Sequence, residues 1–373
     1  MGTKSAADRP DGDRVATPAV RRGRPTLREV AAAAGVDVST ASRLLRGQDM
    51  PYRAETRQRV LDAAEKLGYR PNQQARALRL QRQQAIGLLV PDLDNFGFTQ
   101  ILRGVQEVAA EQEYTLMLVE AGAGAGEGGG ISYERLGLEG RVDGILVAFA
   151  SMDDPHVQEW AERERLPMVL VQRGTPSYPA SVVMDEQRNV AVMVQHLVEL
   201  GHRRIGHVSG PLRTDTGLRR QEGFAAAMRE HGLTVRPEWI ADGGFHWTGG
   251  QAAAREILDV PAADRPTALV VANLISALGT LSAVHELGLT VPGDLSVIAI
   301  DEHIVAAHTN PPLTTVQTPQ RELGRRAAQM LLNSLSGEKP SRVMITDPPP
   351  SLVVRASTAP PPPPPDPPPQ LPE

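Results

Sequence analysis

The sequence predicts an all-α helix-turn-helix head followed by an α/β core of two parallel-sheet lobes. Residues 26 to 69 carry helix caps and apolar stripes at helical spacing, with a glycine between the first two helices. From Ala85 onward, short apolar runs alternate with helical stretches, which is typical of buried parallel strands in α/β layers. The chain has 373 residues, 41% of them hydrophobic, so it is long enough for more than one core.

The head, residues 24 to 69, is predicted as three short helices. Thr26 and Glu29 have the spacing of a capping box at the start of the first helix, which ends before Gly35. A second helix follows over about 38 to 45, and a third covers 54 to 67. We expect four apolar residues of the third helix to share one stripe against the core of the head: Val60, Leu61, Ala64 and Leu67.

A hinge helix and linker are predicted over residues 70 to 84, where a short helical segment needs packing to hold. The two-lobe core is predicted over 85 to 346, with its last strand in 347 to 358. Earlier strands are expected at 85–90, 115–119, 144–149, 168–171, 205–209, 268–272 and 295–300.

Both ends of the chain differ from this pattern. Residues 1 to 23 are polar and lack periodicity, which predicts a disordered arm. Residues 359 to 373 are dominated by proline and predict a disordered, extended tail. This tail is either inert or a ligand for a partner with an aromatic groove.

The composition excludes several classes of protein. The chain has no cysteine, which rules out disulfides, thiolate nucleophiles and cysteine-bound zinc. No apolar run reaches the roughly 18 to 20 residues that cross a bilayer, and the N-terminal segment lacks the apolar core of a signal peptide. We therefore expect a cytoplasmic protein without a membrane partner. Aromatic residues, at 3%, are too few for a platform that stacks single-stranded nucleic acid.

The net charge of −5 hides an asymmetry between the two parts of the chain. Residues 1 to 84 hold 17 of the 39 Lys and Arg but 9 of the 44 Asp and Glu, which gives +8 there and −13 in the remainder. A basic head on an acidic body favours a polyanionic partner for the head. Basic runs are also common on solvated faces, so charge alone does not identify nucleic acid.

Several motifs point to one family. They are Thr26 to Arg43, Leu67-Gly68-Tyr69-Arg70-Pro71-Asn72, Ala75-Arg76-Ala77-Leu78, Val142-Asp143-Gly144-Ile145, Leu200-Gly201-His202-Arg203 and Pro311-Pro312-Leu313-Thr314-Thr315-Val316. Over about residues 25 to 355 the chain resembles the LacI/GalR family of bacterial repressors. The resemblance implies a periplasmic-binding-protein-like core and a homodimer that binds a palindromic double-stranded DNA operator. It also implies a repressor whose operator affinity responds to a small, sugar-like effector, nucleoid-associated in the cytoplasm, with no enzymatic activity and no cofactor.

The second helix of the head is expected to enter the major groove, where each base pair shows a distinct pattern of donors and acceptors. Val38, Ser39 and Arg43 are the side chains expected to reach base edges. Hydroxyl groups suited to phosphates lie on Thr26, Thr40 and Ser42, and the alternative for the last two is that they are ordinary residues of the helix surface.

The family's hinge helix folds on the operator, and a leucine from each copy wedges between base pairs in the minor groove. The matching residue here is Leu78, with Asn72, Ala75 and Arg76 alongside it. The alternative is that Leu78 packs on the core.

An effector is expected between the lobes, at the carboxyl ends of the strands. The matching polar candidates are Arg173, Arg220, Asn273 and Asp301, with Phe96 and Phe98 as an apolar wall. The donors and acceptors of these polar side chains can hydrogen-bond to adjacent hydroxyl groups of a sugar-like ligand. The chain departs from the family at Leu274, where Asp is usual, and over 299–302, where Gly-aromatic-Asp-Asp is usual, which leaves the ligand open.

Other chemistry is not supported by the sequence. The glycine run over 122 to 130 lacks the G-x-G-x-x-G spacing of a dinucleotide site and favours a surface loop. His303 and His308 do not share a helix face, so no metal is expected. The competing functions are a solute-binding protein, which has no use for the head, and a constitutive DNA-binding protein that ignores small molecules.

Overall fold

The computed structural model describes residues 25–45, 52–70, 82–120, 140–153, 157, 159 and 166–363. The chain divides into two compact units, with the division between residues 79 and 80. The predicted arm and hinge segment 71–81 lie outside the described residues, as do residues 364–373 of the predicted tail.

The first unit contains the three predicted helices of the head. They are α1 (Leu27–Ala34), α2 (Val38–Leu44) and α3 (Ala54–Leu67). The capping box forms, because Glu29 accepts from the Thr26 amide at 2.6 Å while the Thr26 hydroxyl oxygen accepts from the Glu29 amide at 3.4 Å. Gly35 ends α1 at a φ of 64°, in the left-handed region that glycine adopts without steric cost.

The buried stripe of α3 differs from the predicted one. Leu61 and Leu67 are 43% and 39% exposed, so their assignment to the stripe was wrong. Val60 and Ala64 are buried as predicted, and Ala63 is buried with them, because these positions of α3 turn toward α1. The small core of the head consists of Val30, Ala31, Ala34, Ala41, Leu44, Val60, Ala63 and Ala64.

The second unit is the predicted two-lobe α/β core. Its strands are β1 (Ala85–Val90), β2 (Thr115–Glu120), β3 (Gly144–Val147), β4 (Met168–Val171), β5 (Ser181–Met184), β6 (Ile205–Ser209), β7 (Ile240–Asp242), β8 (Ala268–Val271), β9 (Ser296–Ile300), β10 (Thr314–Gln317), β11 (Val343–Ile345) and β12 (Ser351–Val353). Its longer helices are α4 (Gly97–Glu111), α5 (Glu186–Glu199), α6 (Asp215–Glu230), α7 (Trp247–Leu258), α8 (Leu274–Glu286) and α9 (Gln320–Leu335).

Each lobe is built on one six-stranded sheet. The first lobe has the strand order β11-β5-β4-β3-β1-β2, and all its neighbouring strands are parallel. The second has the order β12-β10-β9-β8-β6-β7, in which the β10–β12 pair alone is antiparallel. The chain crosses between the sheets three times, from β5 to α5, from β10 to α9 and from β11 to β12. The cleft between the lobes therefore lies where these crossings meet the carboxyl ends of the strands.

Two glycines let α4 and α9 cross at close range in the first lobe. A Cβ on Gly104 would overlap the carbonyl oxygen of Arg321, and a Cβ on Gly324 would overlap that of Ile101. Glu107 pairs with both Arg321 and Arg325 beside this crossing. The contact joins the middle of α4 to the start of α9.

The chain remains bound to the second lobe beyond β12. The amide of Ala359 donates to Ser296 Oγ at 3.0 Å, and its carbonyl oxygen lies 2.9 Å from His202 Nε2. The prediction that disorder begins at residue 359 was therefore wrong for Ala359, which is hydrogen-bonded to the second lobe. In the described ranges, no helix is long and apolar enough to cross a membrane.

Candidate functional site

Helix α2 presents one polar face to solvent. Val38, Ser39 and Arg43 are exposed, and Ser42 is half-buried. Viewed down the helix axis, these four positions lie within an arc of about 140°. Ala41 and Leu44, on the opposite side, are buried in the core of the head. Val38 is 42% exposed although it is apolar, so its side chain is available to an apolar group such as a thymine methyl.

Asp37, which the sequence prediction missed, caps α2. Its Oδ1 accepts from the Thr40 amide at 2.9 Å, and its Oδ2 accepts from the Thr40 hydroxyl at 2.7 Å. The Ser39 hydroxyl donates to Oδ1 as well. These bonds hold the pKa of Asp37 well below its usual range. The sequence signal for this cap was an aspartate three positions before Thr40, since Asp is a preferred residue at the start of a helix.

The hydroxyls of Ser39 and Thr40 therefore stabilise the start of α2. A hydroxyl has one proton to donate, so either group must leave Asp37 before it can donate to DNA. Thr26 is committed in a similar way, because it forms the capping box of α1 with Glu29. The predicted hinge residues Asn72, Ala75, Arg76 and Leu78 lie outside the described residues.

The second candidate site is the cleft between the lobes, where Arg220 and Glu186 form a buried ion pair. Arg220 Nε lies 2.8 Å from Glu186 Oε2, and Arg220 Nη2 lies 3.1 Å from Glu186 Oε1. Arg220 also donates to the Ala272 carbonyl at the end of β8. Asn189 donates to Glu186 Oε2 at 3.2 Å. Glu186, at the first position of α5, was not among the residues predicted from the sequence.

Phe245 joins two of the predicted cleft residues. The guanidinium carbons of Arg173 and Arg220 lie 5.6 and 5.7 Å from the centre of its ring. Phe245 has a φ of 62°, and a Cβ on Gly210 would overlap its ring. The sequence prediction missed this aromatic residue, because neither its backbone conformation nor the facing glycine can be recognised from residue types alone.

Asn273 and Asp301 follow the ends of β8 and β9, as predicted. Asn273 Oδ1 accepts from the Ser276 amide at 3.0 Å and so caps α8, while its Nδ2 donates to the Phe245 carbonyl at 3.2 Å. Asp301 accepts from Gln320 Nε2 at 2.5 Å. Gln320 begins α9 of the first lobe, so this hydrogen bond links the two lobes.

Burial raises the pKa of Asp301 to about 6. Its side chain is surrounded by protein, which disfavours the charged form, and the nearby Glu186 carboxylate adds to this effect. Arg220 and the hydrogen bond from Gln320 act in the opposite direction but do not cancel the effect of burial.

The two predicted wall residues separate in the structure. The ring of Phe96 stacks on His303, with centroids 4.7 Å apart and an angle of 12° between the planes. Phe98 is only 6% exposed and packs in the hydrophobic core of the first lobe. The burial of Phe98 follows from its place in the first turn of α4, on the side that faces the sheet.

The lobes also touch at the other end of the cleft. The Met152 amide donates to the Arg213 carbonyl at 2.9 Å, and the Gly174 amide donates to Asp215 Oδ2 at 3.1 Å. The cleft is therefore bridged both here and at Asp301.

Comparisons with known proteins agree with this architecture. Residues 26–72 match the model of "Bacterial regulatory proteins, lacI family", and residues 194–358 match that of a periplasmic binding protein-like domain. The HTH-type transcriptional repressor PurR of Photobacterium profundum is 33% identical over 321 residues, which cover 85% of this chain and 94% of that protein. This chain belongs to the LacI family of bacterial regulatory proteins. As a member, it is a DNA-binding transcriptional regulator and not an enzyme.

Solved structures of the LacI family have the same fold. The structure of the transcriptional regulator CelR in complex with cellobiose is 32% identical, with a TM-score of 0.66, and the match covers 90% of this chain and 100% of that one. The Lac repressor dimer bound to operator and the anti-inducer ONPF is 26% identical, with a TM-score of 0.74, and covers 90% of this chain and 99% of that one. The match to the DNA-binding head sets aside the alternative of a solute-binding protein.

Proposed function

We propose that this LacI family member is a homodimeric repressor that binds a palindromic operator and changes its affinity when a sugar-like effector occupies the cleft. The observation that carries the proposal is the exposed polar face of α2 in a chain that also has a two-lobe core. A protein that binds chromosomal DNA works in the cytoplasm, associated with the nucleoid.

The α2 face supplies direct readout of bases in this proposal. Arg43 is exposed in the last turn of α2 and has the fork of donors that pairs with guanine O6 and N7. Val38 contacts a thymine methyl, and Ser39 donates to a base edge after it leaves Asp37. Thr26, Thr40 and Ser42 contact phosphates, which positions the helix without reading sequence.

The hinge completes the DNA contacts in the proposal. Leu78 of each copy enters the minor groove and bends the duplex, and Asn72, Ala75 and Arg76 line the same segment. Because two hinges must meet on one operator, DNA binding depends on the spacing of two copies of the chain.

The effector binds at the carboxyl ends of the strands, between Arg173, Arg220, Asn273 and Asp301, with Phe96 beside them. Support comes from the convergence of Arg173, Arg220 and Asn273 on Phe245 and from the cellobiose complex of the related CelR. We leave Phe98 out of the proposed pocket, because its ring serves the core of the first lobe.

The bridges at Asp301 and Asp215 connect effector binding to the DNA. A ligand that inserts between the lobes replaces or strengthens these contacts, which changes how the lobes sit and where the hinges begin. Only a difference in effector affinity between the two arrangements can shift the balance, and such couplings typically change affinity by about 5- to 150-fold.

The test is selection of bound DNA from a random duplex pool at fixed salt, with and without a mixture of neutral and acidic sugars. A palindromic consensus whose enrichment changes with the mixture is the expected result. An asymmetric consensus contradicts the dimer on a palindrome. A consensus that ignores every addition supports the constitutive alternative, and the absence of any consensus contradicts operator recognition.

A further inference from the structure

One arginine of the cleft has no carboxylate partner among the described residues. Among the described residues, Arg173 lies in no ion pair, and its one hydrogen bond is a long one of 3.4 Å from Nη1 to the Phe149 carbonyl. Its guanidinium also lies over the face of the Phe245 ring. A half-buried guanidinium with so few partners has unused capacity, since the group carries five donors in a fixed fork.

The neighbours of Arg173 do not neutralise it. Burial, Arg220 and Arg213 together lower its pKa to about 10, while Asp215 acts weakly in the opposite direction. Arg220 and Asp215 already pair with other residues. Arg220 is held at two points by Glu186. Asp215 accepts from Arg219 and Gly174 and lies 3.6 Å from Arg342.

Two buried polar atoms without partners belong to residues connected to Arg173. Gln172 precedes Arg173 in the chain, and Arg219 donates to Asp215, which also accepts from the Gly174 amide. In the described part of the chain, Gln172 Oε1 and Arg219 Nη2 are buried without a hydrogen-bond partner. Gln172 precedes Arg173 at the end of β4, and its carbonyl oxygen accepts from Thr216 of the second lobe at 3.4 Å. Buried polar atoms are costly to leave unpaired, so this region can accept a ligand with both donors and acceptors.

We propose that the effector carries an anionic group, a carboxylate or a phosphate ester, which pairs with Arg173 at the β4 end of the cleft. The hydroxyls of the same ligand bond to Gln172 and Arg219. The inference rests on the proposed effector site and deepens it, because it assigns a charge to the ligand. A neutral polyol would leave the Arg173 charge uncompensated in a partly dry site.

The first experiment measures thermal unfolding of the full chain in inorganic phosphate and in chloride at equal ionic strength. Phosphate is expected to raise the melting temperature of the wild type and of Arg229→Gln, which removes an exposed arginine from α6. The shift should disappear in Arg173→Gln and be partly retained in Arg173→Lys. A shift that is absent from the wild type, or that persists unchanged in Arg173→Gln, overturns the proposal.

The second experiment distinguishes the source of the anion by calorimetric titration with D-glucose, D-glucuronate and D-glucose 6-phosphate. Binding of either acid more tightly than glucose is expected, and loss of one charge-assisted contact in Arg173→Gln should weaken it by about 10- to 100-fold. Equal binding of glucose and both acids, or no binding of either acid, overturns the proposal. If Arg173→Gln does not fold, Arg213→Gln serves as the second variant, with a smaller expected loss.

The two hypotheses fail in different ways. If anions bind at Arg173 but never change operator affinity, the effector role in the proposed function fails and the anion site remains. If a neutral sugar alone changes operator affinity, the regulatory role remains and the anionic effector is wrong.

Discussion

Arg220 and Glu186 form a two-point ion pair inside the cleft, with side chains that are 2% and 0% exposed. Removing one partner leaves the other charge buried without compensation, which typically costs about 3–5 kcal/mol. We therefore expect Glu186→Gln to lower the free energy of unfolding by roughly that amount, as measured by urea denaturation.

The exposed pair between Arg255 and Glu286 is the matched control, since its side chains are 53% and 40% exposed. Glu286→Gln should cost no more than about 1 kcal/mol, because water screens and solvates both charges. A Glu186→Gln variant as stable as this control would contradict the argument from burial.

Asp301 should make stability depend on pH. Its pKa is about 6 in the folded chain against 3.8 for an unperturbed aspartate, so ionising it costs folding free energy above pH 6 and costs nothing below about pH 4. Asp301→Asn should therefore raise the free energy of unfolding at pH 7, by roughly 1–3 kcal/mol, and flatten its pH dependence between 4 and 6. Urea denaturation at a series of pH values measures both effects.

Asp294 gives a control of opposite sign. Hydrogen bonds from the Thr290 hydroxyl and amide lower its pKa, so its charged form stabilises the folded state above its usual pKa. Asp294→Asn should reduce stability at pH 7. If Asp301→Asn were also less stable than the wild type at every pH, the unfavourable burial of the Asp301 carboxylate would be disproved.

Strands made of continuous apolar residues were predictable, whereas a strand rich in hydroxyls was missed. Strands β1 and β4 have the predicted bounds, because each is an apolar run that is typical of a buried parallel strand. Strand β10, Thr314–Gln317, was missed because two of its four residues are threonines, yet both are fully buried. Distant groups satisfy Thr314, whose amide donates to Ser357 Oγ at 2.8 Å.

The same limit applies to the cleft. Arg173, Asn273 and Asp301 follow strand ends, a position that sequence can indicate, since parallel strands share one functional edge. The partners that set their chemistry come from elsewhere: Glu186 lies 34 residues from Arg220, and Phe245 holds a positive φ. Pairings of this kind depend on how the lobes fold together, which local pattern does not reveal.

Arg43 tests whether α2 reads bases. Arg43→Ala should relax preference at one base pair of each half-site by about 1–3 kcal/mol, because a two-point contact with guanine is lost. Sequencing of DNA selected from a random pool measures this change. Lys66→Ala removes an equal charge from the last turn of α3 and should leave base preference unchanged. Identical preferences for wild type and Arg43→Ala would exclude Arg43 from direct readout.

The crossing of α4 and α9 gives a test of packing. In Gly104→Ala the new methyl group would overlap the Arg321 carbonyl, which is backbone and cannot rotate away, so the helices must separate. Overpacking of this kind typically costs about 1–3 kcal/mol, and we expect a loss of stability in that range or above. Gly174→Ala is the control, since the nearest atoms to its added Cβ lie 3.4 Å away on the flexible Arg342 side chain.

Because the crossing also holds Gln320 near Asp301, Gly104→Ala should weaken the link between the lobes as well as the first lobe. Differential scanning calorimetry of both variants measures the loss, and equal melting temperatures would show that α4 and α9 can separate without cost.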